Sequence, residues 1–221
     1  MSLELINNPF FVTLQDRGRF SYTHLGVTNS GVMDEYSYLI ANKLLGNSLE
    51  TNILEIGCSN VVFKVNKNTT LCLTGADCEF FINDELKELW QNYEVKKNDI
   101  IKIGKILSGN WIYLGVCGGF SIKKEFGSNS TTVKENLGGI TGIRLKKGDI
   151  LAFHKTKKIN KTQYNNTKNI CHNKLLDIYF NICIYSSDLI NNSVYNKISK
   201  TINSVLNEFI KEIIDPAIIL K

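Results

Sequence analysis

The segment ILEIGCSNVVFKVNKNTTLCL, residues 53–73, contains three short apolar runs separated by Gly, Asn, Ser and Lys. Branched side chains such as Val, Ile and Thr pack well on a pleated surface, whereas Gly and Asn favour turns. Residues 53–56, 61–65 and 70–73 are therefore predicted to form consecutive β-strands.

Similar runs continue along the chain, bounded by polar turns such as Asn83-Asp84 and Ser108-Gly109-Asn110. Regular spacing of short strands is typical of a barrel or a sandwich. The N-terminal stretch adds a strand, a turn and a second strand, in which Phe10, Val12 and Leu14 alternate. We therefore expect a mainly β, barrel-like fold. The later strands are predicted at residues 78–82, 100–103, 111–116 and 150–153.

One helix is predicted in the first two thirds of the chain, near residues 34–46. Ser30 or Asp34 can cap its start, apolar residues recur at helical spacing, and Gly46-Asn47 can end it. A second helix is predicted at 199–215, where Pro216 stops it.

A change in composition near residue 155 predicts the domain organisation. Residues 155–173 are rich in Lys, Asn and Thr and contain no Gly, which is typical of a linker or a disordered loop. We therefore expect a domain at 1–154, a linker at 155–173 and a divergent C-terminal segment with a helix at 174–221.

Charge, cysteine spacing and hydropathy exclude several protein classes. The net charge is +5, but the sequence contains no nucleic-acid-binding motif with interleaved aromatic residues. A solvated basic face is therefore expected. No cysteine pair has zinc-knuckle or redox spacing, so reduced core thiols and no metal site are predicted. Without a secretory leader or an apolar run of about 18 residues, we expect a cytoplasmic protein with no membrane partner.

The densest polar cluster is Gln15-Asp16-Arg17-Gly18-Arg19, directly after a predicted strand. A guanidinium there can grip a carboxylate or phosphate, and Asp16 can orient it. Asp77, beside Gly75 at a predicted strand end, is a candidate for acid–base chemistry. The alternative for the cluster is a salt-bridged turn, and the alternative for Asp77 is an aspartate that only forms a turn. The candidate catalytic residues are Asp16, Arg17, Arg19 and Asp77.

The next polar segment, residues 26–34, brings small residues to the start of the predicted helix, where backbone N–H groups favour anions. An ordinary capped helix start is the alternative. The glycines of later predicted turns allow a ligand to approach the backbone closely, or they are needed only for the shape of the strands. His24 can titrate near neutral pH, or can be structural. The candidate substrate-binding residues are His24, Asn29, Ser30, Gly31, Gly75, Gly118, Gly119, Ser128, Ser130 and Thr131.

Six segments in this order resemble the bacterial family of C-type subunits of 5-oxoprolinase, also called allophanate hydrolase subunit 2 or biotin-dependent carboxyltransferase. The resemblance covers roughly residues 3–153. The segments are TLQDRGRFSYTHLGVTNSGVMDEYSYLIANKLLGN (13–47), LEIG (54–57), LTGAD (73–77), YLGVCGGF (113–120), FGSNSTT (126–132) and LGGITGIRLKKGD (137–149).

The resemblance implies a carboxyltransferase subdomain related to cyclophilin-like barrels. It also implies an ATP-dependent hydrolase that opens a small-molecule substrate, 5-oxoproline, to glutamate together with 5-oxoprolinase subunits A and B. The chain has no Walker nucleotide motif and no biotin-attachment Met-Lys-Met, so ATP is expected mainly on a partner subunit and no biotin on this chain.

The second half of the family domain is not recognisable in residues 155–221. Two other interpretations therefore stay open. The chain can be a non-catalytic regulatory partner of the B-type, kinase-inhibitor-like subunit, or a truncated inactive remnant.

Overall fold

The computed structural model describes residues 2–58 and 60–154. In that part of the chain, nine strands and one α-helix account for the regular structure, together with two short 3-10 turns. The elements are β1 (Ser2–Leu5), β2 (Phe11–Gln15), α1 (Glu35–Leu44), β3 (Ile53–Gly57), β4 (Val61–Val65), β5 (Thr69–Ile82), β6 (Glu85–Leu86), β7 (Asn92–Val95), β8 (Ile100–Val116) and β9 (Ile150–Ala152).

The strands form one curled antiparallel sheet organised around the long strand β8. Its first part pairs with β4, its second part pairs with β3, and β5 runs along its other edge. The strand order is β2-β3-β8-β4-β1-β9. Because β8 changes its neighbour along its length, the sheet bends into a half-barrel, and the predicted mainly β, barrel-like fold is confirmed.

Both faces of the central strands are covered. Leu14, Leu54 and Leu114 lie in the main apolar core. The opposite face packs against α1, where the Cys72 thiol donates to the carbonyl of Ala41. Four consecutive residues of β2, 12–15, are therefore all buried, so the predicted alternation does not hold in this strand. Phe10 lies outside β2 and is 70% exposed.

Helix α1 follows the predicted capping chemistry. Asp34 is its N-cap, and its carboxylate accepts a hydrogen bond from the backbone N–H of Ser37 at 3.1 Å. Gly46, with φ of +61°, lies just beyond the last turn. Of the two candidate caps, Asp34 is therefore used and Ser30 is not.

Two pairs of predicted strands turn out to be single strands. Residues 70–73 and 78–82 belong to β5, and 100–103 and 111–116 belong to β8. The predicted turn at Ser108-Gly109-Asn110 is wrong, because these residues lie within β8. Gly75 has a φ of +96° and opens a series of bulges that extends to Phe80. Gly75 thus marks a bulge within β5 and not the end of a strand.

The sequence did not predict β6 or β7. The Asn83-Asp84 turn is confirmed, since both residues have positive φ between β5 and β6. Three cysteines in the described part, Cys72, Cys78 and Cys117, are buried as predicted, whereas Cys58 is exposed.

No helix within residues 2–58 and 60–154 is long and apolar enough to cross a membrane. The predicted linker at 155–173 and the predicted helix at 199–215 lie outside the described residues.

Candidate functional site

Asp16 follows the end of β2 and is buried with four hydrogen-bond donors around its carboxylate. One oxygen accepts from Gly18 N at 2.8 Å and from the hydroxyls of Ser128 and Ser130 at 2.6 Å each. The other accepts from Asn129 N at 2.6 Å. The carboxylate therefore binds the 128–130 segment to the end of β2.

Arg19 reinforces the same connection from the other side. Its side chain is buried, and it donates to the carbonyl of Ser130 and the hydroxyl of Thr132 at 2.5 Å each. Burial lowers the pKa of Arg19, while the charges of Asp16 and Glu125 oppose that shift. We call Asp16, Arg19 and residues 128–132 the Asp16 junction.

The backbone amides of the 128–131 segment are all engaged within the protein. Ser128 N donates to Glu125 O, Asn129 N to Asp16, Ser130 N to the Ser128 hydroxyl, and Thr131 N to Leu14 O. The hydroxyls of Ser128 and Ser130 are engaged as well. Substrate binding by Ser128, Ser130 and Thr131 stays a prediction, and it would require these bonds to open.

Arg17 differs from Arg19 because its side chain is at the surface. It pairs with Glu35 at 2.6 Å and with Glu50 at 3.1 Å, and the hydrogen bonds that it donates to Glu50 and Glu35 raise its pKa. Exposed ion pairs contribute at most about 1 kcal/mol, so a ligand carboxylate can replace one glutamate at small cost. The predicted grip of Arg17 on a ligand carboxylate stays a prediction, and it would require one of these glutamates to be displaced.

Residues 26–34 form a loop that contacts the 17–18 backbone closely. Ser30 and Gly31 have φ values of +56° and +109°. A Cβ on Gly31 would lie 2.8 Å from Arg17 O, and one on Gly18 would lie 2.6 Å from Ser30 O. The amides of Asn29, Ser30 and Gly31 donate no hydrogen bond to another described residue. The loop therefore contains three N–H groups without a hydrogen-bond partner among the described residues.

The middle and the C-terminal end of this loop are fixed by hydrogen bonds. Arg19 N donates to Asn29 O at 2.7 Å, and Val32 N donates to Asp16 O at 3.0 Å. Met33 N donates to the buried carboxylate of Glu55 at 2.7 Å, and Asp34 N donates to the hydroxyl of Tyr113 at 2.7 Å.

Glu55 and Tyr113 are residues that the sequence interpretation missed. They are cross-strand partners on β3 and β8, and the Tyr113 hydroxyl donates to Glu55 at 2.9 Å. Burial raises the pKa of both, and the bonds from Met33 and Tyr113 oppose that shift at Glu55. The available signal was a glutamate inside the apolar run LEIG, since an unpaired charge is costly in such a position.

Other polar side chains share the buried layer between α1 and the sheet. We call Thr13, Gln15, Tyr38, Glu55 and Tyr113 the α1 underlayer. Within the described part of the chain, Gln15 Oε1 and the Tyr38 hydroxyl are buried without a hydrogen-bond partner. Burial raises the pKa of Tyr38, with a further contribution from the charge of Asp16.

The glycine turn after β8 lies next to the Asp16 junction. Gly118 N donates to Asn47 at 2.7 Å, and Gly118 and Gly119 both have positive φ. Asn52 connects the two regions, because its amide group donates to Phe120 O and to the side chain of Asn129. The predicted family segments around 16, 118 and 128 are thus brought together.

The remaining predicted residues are not linked to this group. Asp77 lies at a bulge within β5, opposite Ser108, so its expected position at a strand end is wrong. Gly75 lies in the same bulge. His24 is exposed in the 3-10 turn Thr23–Leu25. Among the described residues, no hydrogen bond or ion pair joins Asp77 or His24 to the Asp16 junction, and their predicted roles stay predictions.

Comparison with known proteins gives one family and consistent relatives. Residues 25–182 match the family described as carboxyltransferase domain, subdomain A and B. The chain is 32% identical over 149 residues to the C-type subunit of 5-oxoprolinase from Haemophilus influenzae, and the match covers 67% of this chain and 48% of that protein. It is 35% identical over 134 residues to urea amidolyase of Saccharomyces cerevisiae, covering 61% of this chain and 7% of that protein.

The fold has a solved counterpart in the Kluyveromyces lactis urea carboxylase. The TM-score is 0.68 at 32% identity, covering 70% of this chain and 14% of that chain. This chain therefore spans about half the length of the H. influenzae relative and a small part of the larger enzymes.

Proposed function

The chain belongs to the carboxyltransferase domain family, subdomain A and B, and we propose that it acts as a subunit of an ATP-dependent 5-oxoprolinase or a related amide hydrolase or carboxyltransferase. The name of the H. influenzae relative supports a multi-subunit assembly. In this proposal subunits A and B are the partners, the protein works in the cytoplasm, and residues 1–154 are the carboxyltransferase-like domain.

The observation that carries the proposal is the close approach of the loop 26–34 to the backbone of Arg17 and Gly18 beside the Asp16 junction. An exposed guanidinium and three backbone N–H groups, those of residues 29–31, lie on segments that approach each other closely. Positive and N–H groups of this kind bind a carboxylate and stabilise developing oxyanion charge. The carboxylate and the ring carbonyl of 5-oxoproline present these two features in one small molecule.

The chemistry divides between this chain and its partners. ATP transfers its terminal phosphoryl group to the lactam oxygen and leaves as ADP. Water adds to the activated ring carbon, the C–N bond breaks to give a free amine and an acyl phosphate, and a second water hydrolyses that acyl phosphate to glutamate and phosphate. The 128–131 amides are engaged within the protein, which supports placing the nucleotide on another subunit. In the proposal ATP is bound mainly by a partner subunit, and this chain orients the lactam. No biotin is attached to this chain.

The direct test mixes the purified chain with subunits A and B and measures ATP-dependent release of glutamate from 5-oxoproline. We expect release above that of A and B alone, and an equal rate would contradict the proposal. Arg17→Gln should reduce kcat/KM about 10- to 100-fold, because a charge-assisted hydrogen bond is worth about 1.5–3 kcal/mol. Arg144→Gln is the matched control. The exposed guanidinium of Arg144 donates to Phe10 O, and its removal should leave kcat/KM unchanged.

A second candidate is a regulatory partner that binds the B-type subunit without turnover. It is favoured by the hydrogen bonds that Asp16 and Arg19 make within the protein, which give both residues a structural role. Stable binding of the B-type subunit without glutamate release would support this candidate. If Arg17→Gln abolished turnover in an active complex, the enzymatic proposal would stand instead.

A further inference from the structure

Two adjacent backbone amides before helix α1 are held by side chains of the central sheet. Met33 N donates to Glu55 Oε2 at 2.7 Å, and Asp34 N donates to Tyr113 Oη at 2.7 Å. Tyr113 Oη in turn donates to the same Glu55 oxygen at 2.9 Å. These three bonds run in one direction, from the loop into the sheet, and end at a single carboxylate oxygen.

The two side chains lie in the buried layer of the central strands β3 and β8. Glu55 is 3% exposed and Tyr113 is fully buried, and they face each other across the β3–β8 pair. Thr74 on β5, the next partner of Tyr113, donates its hydroxyl to the carbonyl of Ser37 in the first turn of α1. Three neighbouring strands therefore fix residues 33–37.

The N–H groups of the candidate site lie in the middle of the loop, just before residues 33 and 34. Gly31 lies against the backbone of Arg17, and residues 29–31 present their amides without a partner in the described part of the chain. Only Val32 separates Gly31 from the residues that the sheet holds. Val32 N also donates to Asp16 O, so the residues held by the sheet and the end of β2 together position these amides.

We propose that Glu55 and Tyr113 are positioning residues of the candidate site, which fix residues 33 and 34 and thereby orient the amides of Ser30 and Gly31 beside Arg17. The positioning is a property of the fold. Its consequence for catalysis rests on the proposed function.

The groups that face Glu55 make its protonation part of this arrangement. Tyr113 faces it from β8, Asp34 from the start of α1, and Thr13, which does not titrate, is its partner on β2. Burial raises the pKa of Glu55, and the nearby charge of Asp34 acts in the same direction. Ionisation strengthens the bonds from Met33 and Tyr113 but places a second negative charge near Asp34.

The test is amide hydrogen exchange, resolved by residue, on the full chain and on three variants. In Tyr113→Phe, exchange at Asp34 should become about tenfold faster or more, while Met33 keeps its acceptor. In Glu55→Leu, both amides should exchange faster. Glu55→Gln, which keeps an acceptor oxygen, should restore most of the protection.

Controls separate local positioning from general loosening. Tyr93→Phe removes a hydroxyl that donates to Glu88 O, on a different part of the sheet, and should leave residues 33 and 34 unchanged. The proposal is wrong if Tyr113→Phe leaves Asp34 exchange unaltered. It is also wrong if the amides of Leu54 and Leu114 in the core strands accelerate equally, since that would be global destabilisation.

Activity gives a separate readout. In an active complex with subunits A and B, Tyr113→Phe should lower kcat more than tenfold with little change in partner binding. Glu55→Gln should flatten the low-pH limb of the rate profile. If the wild-type complex releases no glutamate, the proposed function fails while hydrogen exchange still decides the positioning role.

Discussion

The Asp16 junction and the α1 underlayer are both buried and polar, but they satisfy their hydrogen bonds differently. At the junction, one carboxylate receives four donors and a neighbouring guanidinium is bonded to carbonyl and hydroxyl oxygens. In the underlayer, Gln15 Oε1 and the Tyr38 hydroxyl have no partner in the described part, and burial raises the pKa of Glu55. The hydrogen bonds of the junction therefore fix one geometry. The underlayer instead keeps a free-energy cost from buried, unsatisfied polar groups, which a change of protonation or hydration can reduce.

The largest effect is expected at the junction, from Asp16→Ala. Its four donors, Gly18 N, Asn129 N and two hydroxyls, would each lose an acceptor. At about 1 kcal/mol for each lost bond, the free energy of unfolding should fall by about 4 kcal/mol. Urea denaturation measures this. Asp77→Ala, at an exposed position, is the control and should change stability by less than about 0.5 kcal/mol. Similar losses in both variants would mean that the junction is not a special source of stability.

A smaller effect is expected where the loop contacts the 17–18 backbone. Gly31→Ala introduces a side chain at a φ of +109° and places its Cβ 2.8 Å from Arg17 O. Backbone strain of this kind costs about 2 kcal/mol, and the cost should appear as a lower midpoint in urea. Gly127→Ala has a φ of +77° with open space around the new Cβ, so it should cost only about 1 kcal/mol. Equal losses would show that the loop can move away from Arg17.

A pH-dependent effect is expected in the underlayer. The folded-state pKa of Glu55 is raised by burial, so the folded protein binds this proton more tightly than the unfolded chain. The resulting stabilisation is complete below the unfolded pKa and is lost as pH rises through the folded pKa.

Glu55→Gln removes that dependence. The difference in unfolding free energy, wild type minus variant, should therefore decrease as pH rises from about 4.3 towards neutrality. Denaturation series at several pH values measure it. Glu94→Gln, at an exposed position of β7, controls for the loss of one negative charge. A difference that is flat or rises with pH would contradict the assignment of Glu55 as a carboxyl with a raised pKa.

The sequence predicted the elements whose determinants are local. The Asp34 cap, the β-branched runs of β3 and β4 and the Asn83-Asp84 turn depend on a few neighbouring residues. The sequence-based prediction failed where a residue far away in the sequence determines the local structure. Gly75 and Gly109 were predicted as turns, yet each faces the other long strand at close range, so β5 and β8 continue through them.

The same distinction holds for the site. The polar cluster around Asp16 and Arg19 was found from its composition, but its burial under residues 128–132 depends on a pairing more than a hundred positions away. Arg17 and Arg19 are two residues apart and have opposite environments, which no local pattern distinguishes. Tyr113 was missed because a tyrosine in an apolar strand is ordinary, and only its contact with Asp34 N gives it a specific role.

The smallest effect is expected from a comparison of two buried tyrosines of the α1 underlayer. Tyr38→Phe removes a hydroxyl with no partner in the described part of the chain, and Tyr113→Phe removes one that accepts from Asp34 N and donates to Glu55. The chemical change and the loss of one oxygen atom are the same, so their difference isolates the hydrogen bonds. Tyr113→Phe should cost about 1–2 kcal/mol, whereas Tyr38→Phe should be neutral or stabilise by up to about 1 kcal/mol. Urea denaturation of both variants at one pH measures the sign. An equal cost at Tyr38 would mean that a buried water satisfies its hydroxyl, and the two regions would then be equally well bonded.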